Sequence, residues 1–305
     1  ALPKGDVDLS GQVRPLAKAP DFNGKLTLRS VDLARALRLA APGAASPVRG
    51  EITASLDLQL ALAADSAVSV AAKGNLSAKE LEITGGTQIS SPVLNHLDAR
   101  FTIGASGTTA RVTGTVSAAR IVSRTGNVSF ATEDVLWEGR IEQTAPAAGR
   151  MVFGLVGALA QGRTSLDLGN GTQASYRGLK AARLDLSGKT DATGAASVRI
   201  DGDIALQQID VATPDLKMTS ADAAWQGKFG VQSMPDRRSG FDAEGRFESD
   251  ALRVSLVSQG IGAAQSKFRW SGRIALDPAQ GGKLSHSGSV AIEGISIDSQ
   301  EPAIN

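Results

Sequence analysis

Apolar and polar residues alternate along most of this chain with a period of two, the mark of an extended strand rather than a helix. Residues 51–62 show it cleanly. Ile52, Leu56, Leu58, Leu60 and Leu62 fall on one side, and Glu51, Ser55, Asp57 and Gln59 on the other. Successive side chains of a strand point to opposite faces, so one face is apolar and the other is wetted. The alternation is organised as a repeat. A glycine is followed by apolar residues at +2, +7 and +9 and a small or apolar residue at +4, as in Gly24 with Leu26, Leu28, Val31 and Leu33. Copies begin at Gly74, Gly202, Gly245 and Gly288, and a degenerate one at Gly114. These glycines lie 50, 40, 88, 43 and 43 residues apart, and the double-length gap predicts a diverged copy near residues 162–168. Such a period belongs to repeat architectures.

A second pattern alternates with the first, about half a period away. Trp137-Glu-Gly139-Arg-Ile141, Trp225-Gln-Gly227-Lys-Phe229 and Trp270-Ser-Gly272-Arg-Ile274 are one motif. Val48-Arg-Gly50-Glu-Ile52 and Tyr176-Arg-Gly178-Leu179 read as weaker relatives, and Leu97-Asp-Ala99-Arg-Phe101-Thr-Ile103 fills the slot between. The glycine of this motif either makes room for the indole or lets another backbone approach closely. In the first motif the alternation slips by one residue between +4 and +7. Because a slip of one turns every later side chain to the wrong face, a bulge or bend is predicted there in every copy.

Helical periodicity is thin. Residues 32–41 place Leu33 and Leu37 one turn apart ahead of Pro42-Gly43, which predicts one short helix. Residues 151–161 are a second candidate, weakened by Gly154 and Gly157. Asn170-Gly171 and Asp201-Gly202 are hairpin-type turn signals.

Charge and composition narrow the function. Thirty-two basic residues against 31 acidic ones leave a net charge of +1, with no basic stripe to neutralise phosphates, so no nucleic-acid partner is expected. With no cysteine there is no disulfide scaffold, thiolate metal site or cysteine nucleophile. The longest apolar run, near 151–160, is far short of the roughly 20 residues that span a bilayer. No signal-peptide core follows Ala1-Leu2-Pro3-Lys4, so any membrane anchor is expected outside this segment.

Reactive side chains do not recur with the repeat. His96 and His286 stand far apart, and neither has the i, i+4 spacing of a helix-borne metal pair. Ser285-His286-Ser287 lacks the elbow and orienting third group of a nucleophile. The carboxylates, such as Asp6/Asp8, Glu80/Glu82 and Asp201/Asp203, sit at expected solvent-facing positions. No phosphate-cradling glycine loop is present. No catalytic residue, metal site or cofactor is therefore expected. The three tryptophans, locked to the repeat, are expected to be structural anchors.

The interleaved Gly-x-φ-x-φ-x-x-φ-x-φ and W-x-G-[RK]-φ units over residues 20–298, with stretches such as Leu94–Ile103 and 224–229, resemble the AsmA-like envelope proteins of Gram-negative bacteria, a family that includes TamB. The resemblance implies an all-β fold, an elongated repetitive antiparallel sheet curled into a groove, with residues 1–305 as a single module of a longer chain. It implies a periplasmic place with an inner-membrane anchor, a possible outer-membrane partner, and phospholipid acyl chains as the ligand conducted between the two membranes. Periodicity alone leaves two outcomes open, since an apolar face either fills its own core or lines a groove. The side chains expected to line a groove are Leu26, Leu28, Leu56, Leu58 and Leu60, then Phe101, Ile103 and Ile141. Further along they are Ile204, Leu206, Phe229 and Phe247, and finally Ile274, Val290 and Ile292.

Overall fold

The computed structural model describes residues 5–14, 21–40, 46–62, 67–105, 107–146, 150–191, 193–234, 238–277 and 282–299. Among them are seventeen strands, one eight-residue helix and one 3-10 turn, so the chain is all-β as its periodicity predicts. Every strand pair with a defined register is antiparallel. Its contacts divide into two units, Ala1–Ser123 with Asp134–Gly157 and Ser187–Thr193, and Arg124–Glu133 with Ala158–Leu186 and Gly194–Asn305.

In the first unit, β1 (Asp6–Arg14), β2 (Asp21–Asp32), β3 (Val48–Leu62) and β4 (Val68–Ile83) form a meander. It continues into β5 (Thr87–Ser90) and β6 (Val93–Gly104), both paired with β4, and β7 (Gly107–Thr125), which pairs with both. The predicted short helix is α1 (Leu33–Ala40), packed on β2 and β3. Asp32 Oδ1 accepts the backbone N–H of Arg35 at 3.0 Å, which caps its first turn. The Pro42-Gly43 stop lies outside the described residues.

Next come β8 (Val128–Pro146), β9 (Met151–Gln161), β10 (Thr164–Asp167) and β11 (Gln173–Thr190). The second helix candidate is corrected: residues 151–161 are β9, a strand. Tertiary pairing overrides the weak helical spacing there, and Gly157 packs directly against Gly139 of β8. Asn170-Gly171 is a turn as predicted, with Leu168 N bonded to Thr172 O at 3.0 Å. Asp201-Gly202 is not. Both residues lie inside β12 (Ala196–Ala212), registered against Lys228 and Gly227. The remaining meander of the second unit is β12, β13 (Leu216–Ser233), β14 (Ser239–Leu256) and β15 (Ile261–Asp277), followed by β16 (Lys283–Glu293) and β17 (Ser296–Ser299) one after the other along β15.

The register explains the repeat. Gly202, Gly227, Gly245, Gly272 and Gly288 stand opposite one another across five strands. The two motifs are therefore neighbouring antiparallel strands that cross at their glycines. At Gly227, Gly272 and Gly288 φ is +146°, +153° and +146°, a region that L side chains rarely adopt. A Cβ at Gly227 or Gly272 would strike the carbonyl of Glu244 or Ser287 and the Cα of the facing glycine. Glycine is thus required in pairs, for close backbone approach. The indole has a smaller share: Trp137 Cζ2 lies 3.0 Å from the place of a Cβ at Gly139.

Because Gly157 faces Gly139, the diverged copy starts at Gly157 rather than at 162–168. Its strand breaks between β9 and β10, at +5 and +6. Two of the proposed weak relatives of the second motif are also corrected. Gly50 faces Leu81 instead of Gly24 or Gly74, and Gly202 lies against Leu184 rather than near Gly178. Both sequences match the motif only locally, out of register with the glycine row.

The predicted slip is visible in the backbone. Ser30, Gln208 and Ala251 adopt φ of +51°, +49° and +50°, and Gly294 has +64°. Each is the +6 residue of its copy. The ladder shifts between Leu28 and Val31 in one copy, and β16 gives way to β17 around Gly294 in another. Gly74 and Gly114 carry no positive φ at +6, although β4 also shifts register on β3 between Gly50 and Ile52, opposite its Leu81 and Ala78.

Candidate functional site

Register assigns every strand residue to a face, because cross-strand partners point the same way. In the second unit one face carries the row Ile204, Trp225, Phe247, Trp270 and Val290. Beside it run Leu206, Ala223, Ser249, Phe268 and Ile292, and beyond the glycines Ile200, Phe229, Ala243, Ile274 and His286. In the first unit Leu26 faces Leu56, Leu28 faces Ala54, and Leu60 faces Phe22 and Val70. Leu58 stands between Gly24 and Ala72, Phe101 between Val70 and Ala110, and Ile103 beside Val68. Ile141 continues the alternation of Trp137 and Gly139 on β8. The fifteen expected lining residues therefore share one apolar face within each unit, seven in the second and eight in the first.

That face is open. None of the fifteen is buried, and exposure reaches 37% at Phe101 and Phe229, 52% at Val290 and 56% at Ile103. The buried apolar side chains are few and mostly small, such as Val31, Ala54, Ala99, Ala181 and Ala223, with Trp137 and Trp270. Soluble monomers rarely leave contiguous apolar patches above a few hundred Å².

Trp137 and Trp270 are buried, as the expected structural anchors, and Trp225 and Trp270 stand in a row of this same face. Trp225 and Trp270 stack across β14 with centroids 6.0 Å apart and planes 13° from parallel. Trp270 donates its Nε1–H to Nε2 of His286 at 3.0 Å. Trp137 is buried with its indole N–H unpartnered. The signal was in the sequence, since each tryptophan stands two residues before a row glycine and so shares its face. His96 occupies the bulge of β6, at φ +54°, its backbone N–H bonded to Asn75 Oδ1.

The opposite face is charged and ordered. Lys25, Asp57, Lys73 and Asp98 alternate in sign across four strands, and Asp201, Lys228, Glu244 and Arg273 do so in the other unit. Opposite charges directly across a pair are favourable. This accounts for the basic residue after the glycine in two of the three W-x-G-[RK] copies, where Lys228 and Arg273 meet the carboxylate that precedes the facing glycine; Arg140 instead pairs with Glu142 of its own strand. Hydrogen bonding from Arg100, against a smaller opposing effect of burial, and then Lys73 hold the Asp98 carboxyl below its usual range.

Among the described residues no cluster of three or more His, Cys, Asp or Glu side chains is placed to hold a metal. Among the described residues no helix is long and apolar enough to cross a membrane. The chain matches no family model, no curated protein and no solved structure.

Proposed function

We propose that this chain is a non-catalytic module of the bacterial envelope whose apolar face holds the acyl chains of phospholipids, as its resemblance to AsmA-like proteins implies. The observation that carries the reading is the exposure of that face. Fifteen repeat-encoded side chains are in place, on one face in each unit, and none is buried. Covering such side chains with hydrocarbon gains about 25 cal/mol per Å² removed from water, spread over many positions. Aliphatic side chains of several sizes suit a flexible acyl chain, and the charged ladders keep the other face in water. A periplasmic location, an inner-membrane anchor outside this segment and an outer-membrane partner complete the proposal. The alternative, a structural or adhesive β array with a self-filled core, requires these same side chains to be enclosed.

Mass spectrometry of the purified protein under native conditions tests the reading. Bound phospholipid is expected, together with uptake of labelled phospholipid from vesicles. Leu58→Glu and Ile204→Glu each place a carboxylate on the apolar face and should lower occupancy at least about tenfold. A protein that carries no lipid and takes none up overturns the reading and favours the structural array.

A further inference from the structure

Of the two buried tryptophans, Trp270 has a partner for its indole N–H and Trp137 has none. Trp137 is only 7% exposed, and its Nε1 is closed to solvent with no hydrogen-bond partner among the described residues. A buried donor left unpaired is costly, and native structures leave few of them.

The repeat shows what is missing. Gly272 faces Gly288, and two residues before Gly288 stands His286, whose Nε2 accepts the Trp270 N–H at 3.0 Å. Gly139 faces Gly157 in the same way, but two residues before Gly157 stands Leu155, which has no side-chain acceptor. On the other side of β8, Gly107 of β7 lies against Pro146, and continuation of that pairing puts Val112 at the matching place. One frame therefore holds a histidine beside one indole and hydrocarbon on both sides of the other.

The direction of the N–H is also fixed. Trp137 Cζ2, the ring atom next but one to Nε1, lies 3.0 Å from the place of a Cβ at Gly139. The N–H edge of the indole is thus turned over the row glycine, on the apolar face that exposed Ile141 continues. We propose that this N–H is the polar anchor of the ligand site in the first unit, donating to the carbonyl oxygen of an acyl ester laid along that face. The proposal rests on the lipid reading and adds the chemical group that is recognised. Leu155, Val112, Val135 and Ile141 bring no cation, so an ionised carboxylate would be costly here. An ester carbonyl is a neutral acceptor joined directly to the hydrocarbon. Because solvent does not reach Nε1, the carbonyl arrives with a shift of the side chains over the ring edge.

Loading from vesicles of labelled diacyl phosphatidylcholine, compared with its dialkyl ether analogue of equal chain length, tests the proposal. The ether lacks only the carbonyls. The unaltered chain should load the ester lipid about fivefold more than the ether. Trp137→Phe keeps an aromatic ring and removes the donor, so both lipids should load at the ether level. Leu155→His leaves the indole in place and supplies the acceptor that His286 gives Trp270, so it too should lower the ester preference. Circular dichroism establishes that each variant is folded, and Leu155→His decides if Trp137→Phe is not. Equal loading of the two lipids by the unaltered chain, as when water serves the N–H, overturns the proposal and leaves the lipid reading standing. So does an ester preference that survives in a folded variant. Loading of neither lipid overturns both.

Discussion

At the residue scale the glycines carry the most information, and they are not equivalent. Gly227 has φ +146° and faces Gly245 so closely that any Cβ meets Glu244 O. Gly262, also in a strand, has only Asp298 O at 3.8 Å and Ser255 Oγ at 3.9 Å near the place of a Cβ. Gly227→Ala should therefore cost about 1–3 kcal/mol in urea denaturation, through the strained backbone and the lost close approach. Gly262→Ala should be near neutral. An equal cost at both positions would mean that the row glycines are merely small. Ala251 tests the bend in the opposite sense. It holds φ +50° at the +6 position, where Gly294 stands in the next copy. Ala251→Gly should raise the melting temperature, a gain of up to about 1 kcal/mol, because relief of left-handed strain exceeds the added chain entropy.

At the scale of elements, strands are held by rows that run across them. The charge ladder through Lys25, Asp57, Lys73 and Asp98 makes stability sensitive to acid at one definable point. The Asp98 carboxyl is held below its ordinary range by hydrogen bonding from Arg100, then by Lys73. A carboxylate with a depressed folded-state pKa contributes stability above its unfolded value and loses it as pH falls through the folded one. The side chains are largely exposed, so the contribution is small and salt-sensitive. The stability of Asp98→Asn should equal that of the parent in strong acid and fall slightly below it at neutral pH. A constant difference at all pH values would remove the charge argument. The buried hydroxyl pairs, Thr132 with Thr164 at 2.8 Å and Ser220 with Ser249 at 2.9 Å, tie neighbouring strands in the same crosswise sense.

At the scale of the whole molecule the issue is what covers the apolar face. The alternation of Ile204 with Ala205 or Leu58 with Gln59 was plain in the sequence, and so were the two faces. Whether that face is closed was not, because periodicity looks the same in a filled core and an open surface. The exposure of Phe101, Ile103, Phe229 and Val290 tips the balance toward an open one. The loss of lipid expected for Leu58→Glu and Ile204→Glu probes this scale.

The sequence by itself determined the strand period, both motifs and the stretch between +4 and +7 in which most copies bend, because these are properties of one strand and its local sterics. It misplaced the diverged copy, took residues 151–161 for a possible helix, and read Asp201-Gly202 as a turn. It also admitted Gly50 and Gly178 to a motif they do not share. Each error concerns what stands opposite a residue, and that is decided only when a second strand pairs with the first. Tertiary structure supplied the register, and with it the reason the glycines, the tryptophans and the basic residue after each glycine recur together. Glycine is needed where two backbones approach, the indole lies on the face the glycine leaves low, and Lys228 and Arg273 meet carboxylates on the neighbouring strands.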